Sequence, residues 1–134
     1  MNEEERTTFL ETPRLGILMM NRDPAPVGVP VWFEWTGDTV EMFSMNTAPK
    51  IRRITTDPNA SVLAVNSVGE PEAWVAFDGA IAVTNPGGLE LAERLAERYW
   101  DMSLASNRKT LAAWKQHPET MCQLTLTPSR IRSS

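Results

Sequence analysis

The clearest hydrophobic pattern in this chain is an alternation. Val27, Val29, Val31, Phe33 and Trp35 fall on every second position, Thr36-Gly37-Asp38 supplies turn residues, and Val40 to Ser44 forms a returning strand. Gly28, Pro30, Trp32 and Glu34 share the opposite face. A proline two residues before a tryptophan removes a ladder donor and suits an edge or ligand-facing strand. Leu15 to Met20 and Ser61 to Asn66 predict two further strands, and Ala73 to Thr84 a long one with Val75, Phe77, Ile81 and Val83 on one face. Asn21 to Pro26 and Ser67 to Pro71 read as turns. Leu89, Ala92, Leu95, Ala96 and Tyr99 recur at helical spacing, a second helix runs from about Asn107 to Lys115, and Met121 to Leu126 forms a last strand. The expected fold is mainly β (α+β): a small antiparallel barrel of six strands with two to three peripheral helices. Connections as short as Thr36 to Thr39 leave no room for parallel crossovers.

The segment after Ser44 carries an electrostatic anomaly. Thr47 is positioned to cap a short helix whose first turn holds Ala48, Pro49 and Lys50, with Ile51 and Ile54 on its buried side. A cation in a first turn opposes the helix dipole, at a cost of roughly 0.3 to 1 kcal/mol when exposed. A bound phosphate or carboxylate reverses that sign, because the free amides and the lysine then point at the same negative group. Lys50, Arg52 and Arg53 therefore read either as a solvated helix face or as an anion site.

Composition narrows the field. A chain of 134 residues is expected to form one domain, spanning residues 1–134, with a core large enough to need no covalent staple. The single cysteine, Cys122, has no partner for an internal bridge, and the acidic start Met1 to Arg6 has no apolar signal-like run, so a cytoplasmic protein is expected. No stretch is long and apolar enough for a transmembrane helix, and a net charge of -4 argues against nucleic acid as the main partner. His117, the one histidine, has no second histidine or cysteine cluster beside it, so it reads as a surface residue and no metal site is expected. Gly87-Gly88, after Asn85-Pro86, marks a helix start rather than a phosphate loop. Trp74 shares a strand face with Ala76, Asp78 and Ala80, away from the bulky aliphatics, and would cover a ligand, meet another subunit or lie under a loop. Trp100, Met102 and Trp114 read equally as core or interface.

Several of these segments together resemble a known family. Val29-Pro30-Val31-Trp32-Phe33, Phe43-Ser44, Lys50-Ile51-Arg52-Arg53, Asp57-Pro58 before the strand at Ser61, and Trp74 to Ala80 are similar to the pyridoxamine 5'-phosphate oxidase-like flavin-binding split barrels, including their flavin- and deazaflavin-dependent oxidoreductases. The resemblance covers roughly residues 10–83, with a weaker echo in Arg98-Tyr99-Trp100 and in Pro128 to Arg132. It implies a homodimer of six-stranded split barrels with two flavin-type cofactors in the interface. On the matching positions, the backbone of Val29, Pro30, Val31, Trp32 and Phe33 would line the isoalloxazine, Ser44 and Lys50 would hold the phosphate, and Trp74 would approach from the partner subunit. Arg52 and Arg53 would be further anion ligands.

The chain also departs from that pattern. Where members that oxidise pyridoxamine phosphate have a Ser-Arg pair before the lysine, this chain has Ala48-Pro49 and lacks two phosphate donors. The turn Asn21 to Pro26 has no Asp-Gly pair, and the downstream tryptophan and Arg-x-His elements of those oxidases are absent from the segment after Pro128. Vitamin B6 oxidation is therefore not expected. FMN is the first cofactor candidate and deazaflavin F-420 the alternative, whose carboxylate tail Arg52, Arg53 or Arg14 would meet. The implied activity is hydride transfer to or from a small organic substrate, with the ring carrying the chemistry. A non-catalytic flavin, haem or pigment-binding module, and a dimeric domain with a vacant pocket, remain open alternatives.

Overall fold

The computed structural model describes residues 1–134. A helix, α1 (Glu3–Glu11), precedes strand β1 (Gly16–Met20), followed by β2 (Val27–Val31), β3 (Glu34–Trp35) and β4 (Val40–Met45). Helix α2 (Pro49–Thr56) leads into β5 (Asn59–Val65) and β6 (Trp74–Thr84). Helices α3 (Leu89–Tyr99) and α4 (Ala105–Gln116) then precede β7 (Met121–Ser133). No helix is long and apolar enough to cross a membrane.

All strand pairs are antiparallel, in one sheet of seven strands ordered β2-β1-β5-β6-β7-β4-β3. Seven strands replace the six expected because the alternation from Val27 to Trp35 is not one strand. It breaks at Trp32-Phe33 into β2 and β3, which lie at opposite edges of the sheet. Val31 and Glu34 are three residues apart, a span of at most about 11 Å. The two edges of the sheet are thus covalently tied at that separation, and the sheet has to curl into a nearly closed barrel.

The inward face of that curl is the core. Leu18, Met20, Val31, Phe33, Val40, Met42, Val62, Ala64, Val75, Phe77, Leu124 and Leu126 pack inside it, with Leu10 of α1 and Ile54 of α2 closing the ends. Trp35 meets Phe77 with ring centroids 4.6 Å apart. Phe33 packs over Gly16, where an added Cβ would stand 3.0 Å from its ring. The alternate residues of the same strands face outwards.

Two further expectations change. The chain has four helices rather than two or three: α1 was not expected, since it buries only Leu10 and has no apolar period. It is held instead by a capping box in which the Glu5 N–H donates to Asn2 Oδ1 and the Asn2 N–H to Glu5 Oε2, both at 2.8 Å. The last strand runs seven residues past Leu126 to Ser133, pairing with the whole length of β6. Pro128 fits in this ladder because the register shifts between Asp78 and Gly79, and a bulge tolerates a residue that cannot donate.

Beyond the bulge, Arg132 Nε and Nη2 donate to the Asp78 carboxylate at 2.7 and 2.9 Å, and Ser61 Oγ donates to it at 2.6 Å. The Arg132 hydrogen bonds hold the Asp78 carboxyl at about 2. Arg14 does the same for Glu70, also at about 2, through paired bonds of 2.9 and 2.7 Å. A carboxylate whose folded pKa lies below its unfolded value of about 4 favours the fold above that pH and loses its contribution as the pH falls towards 2.

Two outcomes follow for stability. The thermal midpoint should decline between pH about 4 and about 2, and Asp78→Asn should lower the midpoint at neutral pH while flattening part of that decline, read by circular dichroism melts across pH. Gly79→Ala should cost about 1 to 3 kcal/mol in denaturant unfolding, because a Cβ there runs into the Thr127 carbonyl oxygen in the paired strand.

Candidate functional site

Where the curled sheet's two edges approach each other, residues of both edges line an open cavity of about 500 Å3. The β2 edge contributes Pro30 and Val31, the crossing segment Trp32, and the facing strand β4 Phe43, Ser44 and Met45. Leu15 stands before β1, Ala48 and Lys50 at the start of α2, and Trp100 and Trp114 on the helical side. The walls are apolar and aromatic, and Lys50 is the only charged side chain among them. A second concavity of about 350 Å3, beside Asn21, Asn59, Ser61 and Asp78, is polar and has its charges already paired.

The aromatic wall is a connected array. Trp32 stacks on Tyr99 with centroids 5.3 Å apart and planes 3° from parallel, and meets Trp100 edge-on at 4.8 Å. Phe43 packs edge-on against both Trp32, at 6.0 Å, and Trp114, at 5.4 Å. Trp100 and Trp114 stack at 5.4 Å. Tyr99 ties this array to the backbone at the crossing. Its hydroxyl donates to the Arg14 carbonyl at 2.7 Å and accepts the Phe33 N–H at 3.4 Å, a donor that no strand neighbour takes up.

Lys50 lies at the polar end of the cavity. It is half-buried and makes no ion pair or side-chain hydrogen bond; burial lowers its pKa, and the opposing influence comes from Cys122, not from a carboxylate. Cys122 is buried beneath it, paired in register with Ser44, and its thiol pKa is raised by burial against the pull of Lys50. Ser44 is 5% exposed, with its hydroxyl donating to the Met45 carbonyl at 3.0 Å.

The start of α2 differs from expectation. Ala48, not Thr47, occupies the N-cap position, in an extended conformation with no side-chain bond to the first-turn amides, and Pro49 follows it. A proline at the first helical position sets the helix start through its fixed φ, so no capping side chain is needed there. The amides after it are left without a side-chain acceptor.

Of the ten residues singled out in the sequence, the structure gathers Pro30, Val31, Trp32, Ser44 and Lys50 around one cavity. Val29 packs against the core and Phe33 is buried within it, so only their backbones face the crossing region. Arg52 and Arg53 border a neighbouring concavity of about 530 Å3 with Asn46, Thr47 and Pro49. Trp74 is on the outer sheet face, opposite Val65 in register and outside the cavity of its own chain. Arg14 is 7% exposed, with both terminal nitrogens bonded to Glu70 and Nε donating to the Phe9 carbonyl at 3.0 Å, so its charge is already paired and its guanidinium is shielded from a carboxylate tail. Trp100 and Trp114 are neither core residues nor simple surface, and the sequence carried no signal for their place. Trp114 sits on a helix without buried residues, so no apolar period points it inwards, and Trp100 stands one residue beyond α3, four after Ala96.

No family model matches the sequence, and no curated protein matches it. Solved structures do match. An F420 reductase superposes with a TM-score of 0.72 at 18% identity, covering 93% of this chain and 94% of that one. An FAD-binding protein from Mesorhizobium loti gives 0.66 at 20% identity, covering 99% and 94%. A Clostridium acetobutylicum protein related to general stress protein 26, of the pyridoxinephosphate oxidase family, gives 0.71 at 11% identity, covering 100% and 90%. Agreement over nearly the full length of all three, at identities too low to reflect shared side chains, concerns the path of the backbone. This chain has the split-barrel fold of the pyridoxamine 5'-phosphate oxidase-like proteins.

Proposed function

We propose that the aromatic cavity holds a flavin-type cofactor, FMN or the deazaflavin F-420, and that the protein is a homodimeric oxidoreductase acting on a small organic substrate. One observation supports this reading above the others: an unpaired, half-buried lysine at the end of an otherwise apolar cavity. A desolvated cation without a counter-charge is unfavourable in the free protein, and an anionic group on the ligand would relieve it.

The donor set fits such a group. Lys50, with its side chain and its own backbone N–H, forms the anion end, since Pro49 has no N–H and the Ile51 N–H donates to the Ala48 carbonyl at 3.1 Å; Arg52 and Arg53 are near enough along the helix for a longer anionic tail. Trp32, Phe43 and the Trp100–Trp114 pair form flat walls for a ring system. β2 is an edge strand, so the backbone groups that face away from β1, the Gly28 N–H and the Gly28 and Pro30 carbonyls, are available to ring heteroatoms. The bound ring would supply the hydride chemistry. The chain's own residues anchor the anion, orient the ring and exclude water; the lining offers no carboxylate or imidazole for proton transfer. That last feature also favours a second reading, a binding module without turnover.

The partner is inferred from the outer sheet face. Leu15, Ile17 and Val65 are 55%, 36% and 45% exposed, and the register sets Ile17 beside Pro30 and Leu63, and Val65 beside Trp74. This apolar face is continuous with the cavity through Leu15 and Pro30. A second copy laid on it would cover the cavity mouth and bring its own Trp74 to the site.

Three measurements test these assignments. Lys50→Ala should weaken FMN binding by at least about tenfold, the scale of a lost charge-assisted hydrogen bond, while leaving riboflavin, which lacks the phosphate, nearly unchanged; titration of flavin fluorescence distinguishes the two. FMN affinity should fall with rising pH before the ordinary lysine value of 10.5 is reached, since burial lowers the pKa of Lys50 and only its protonated form holds the anion. Ile17→Glu should convert the dimer to monomer in analytical ultracentrifugation and weaken FMN binding together with it. Bound cofactor that never exchanges electrons with a reduced nicotinamide or a quinone would leave the binding-module reading in place.

A further inference from the structure

The rings of the cavity wall are not held equally. Trp32 is fixed by its stack on Tyr99, whose hydroxyl is bonded to backbone on both sides of the crossing. Phe43 is part of the β4 ladder, paired with Gln123 of β7. Trp100 ends α3, a helix that buries Leu91, Ala92, Leu95 and Ala96, and its N–H donates to the Ala96 carbonyl at 2.9 Å. Trp114 has no comparable support. It rides on α4, which buries no residue at all and whose N-cap position, Leu104, makes no side-chain capping bond.

Little else fastens α4 to the barrel. Its one ion pair across to another helix, Lys115 to Glu93 of α3, is 4.0 Å long between half-exposed side chains, a contact of small energy. The half-buried residues of α4 are Asn107, Leu111 and Trp114, and of these Trp114 makes the aromatic contacts, with Phe43 and Trp100. Those same contacts close one wall of the cavity. The anchor of the helix and the wall of the site are one side chain, so anything that parts Trp114 from Phe43 both opens the cavity and releases α4. Segments with few buried apolar contacts open locally at low free energy, independently of the rest of the fold.

We propose that α4 is a lid over the aromatic cavity and that Trp114 is its gate: α4 opens by breaking the Trp114 contacts, a ligand passes, and Trp114 then closes against the ligand. The chain segments on either side can absorb the motion. Asp101 to Leu104 before α4 and His117-Pro118 after it are exposed apart from Met102, while Glu119 and Thr120 are fixed through their carbonyls by Asn46, at 2.9 and 2.8 Å, and Met121 is locked in the ladder with Met45. The ligand arm of the proposal rests on the flavin reading above; the opening of α4 itself does not.

The test has two arms. In hydrogen–deuterium exchange on the ligand-free protein, amides of α4 should exchange at least about tenfold faster than those of α3, and FMN should slow the α4 amides selectively. In stopped-flow binding, Trp114→Ala should raise the association and dissociation rate constants of FMN each by about tenfold, with a smaller change in Kd, whereas Trp114→Phe should stay near the parent. Because α4 contributes no residue to the barrel core, the circular dichroism melt of Trp114→Ala should remain close to the parent, which separates gating from unfolding. Exchange in α4 no faster than in α3, or both FMN rate constants within about twofold of the parent in Trp114→Ala, overturns the lid. A protein that takes up neither FMN nor F-420 defeats the flavin reading, and the exchange comparison between α4 and α3 then decides the lid on its own.

Discussion

The crossing at Trp32-Phe33 is the constraint on which the rest depends. Two residues join strands at opposite ends of a seven-strand order, and a chain that short cannot span a flat sheet of that width. Curling is forced, and with it a single enclosed core. The crossing also divides its two side chains by the ordinary alternation of extended chain: Phe33 turns inward over Gly16, and Trp32 turns outward against Phe43 and Tyr99. Because β2 and β3 do not pair with each other, the barrel is left open along this seam, and the cavity occupies the opening. Tyr99 gives the exposed backbone at the seam the hydrogen-bond partner that a neighbouring strand would supply elsewhere.

Electrostatics sharpens the contrast between the cavity and its surroundings. Arg14, Arg94 and Arg132 each have a carboxylate within 2.9 Å, from Glu70, Glu34 and Asp78. These pairs hold loops, a helix and the long β6–β7 ladder. Lys50 is more enclosed than a surface lysine yet has no such partner, and its only electrostatic neighbour of note is a buried thiol. Among these cations Lys50 alone lines the apolar cavity, which sets it apart from the paired Arg14 and Arg132. The adjacent start of α2 has no capping side chain, but Pro49 lacks an N–H and the Ile51 N–H donates to the Ala48 carbonyl at 3.1 Å, so Lys50 itself is the main donor there.

Much of the secondary structure was legible because it rests on local periodicity. The core faces of β1, β4, β5 and β6, and the helix α3 beginning after Gly88, follow from alternation or helical spacing visible within a few residues. What escaped did so for physical reasons. The Asn2 to Glu5 capping box was present in the sequence, but α1 offers no apolar stripe to accompany it. Thr127-Pro128-Ser129 looks like the end of a strand; the ladder continues because β7 itself bulges at Ser129, next to the proline, and Arg132 reaches Asp78 beyond it. Of the candidate site, Trp32, Ser44 and Lys50 could be picked out as residues of unusual type in unusual positions, whereas Arg14 could not be told from a free cation until Glu70 was seen beside it.

Taken alone, the sequence determined which face of each strand is buried, since side chains alternate wherever the backbone is extended and hydrophobicity then selects the side. It also determined that a lysine would stand at the start of a short helix following an aromatic-rich strand. Only the tertiary structure decided that the alternation through Trp32-Phe33 conceals a change from one sheet edge to the other, because the period of two continues unbroken through extended chain whether or not the pairing partner changes. The cavity is a product of that change. Its walls come from β2, β4 and the ends of three helices, residues brought together by the closure of the sheet over separations along the chain that no local pattern records.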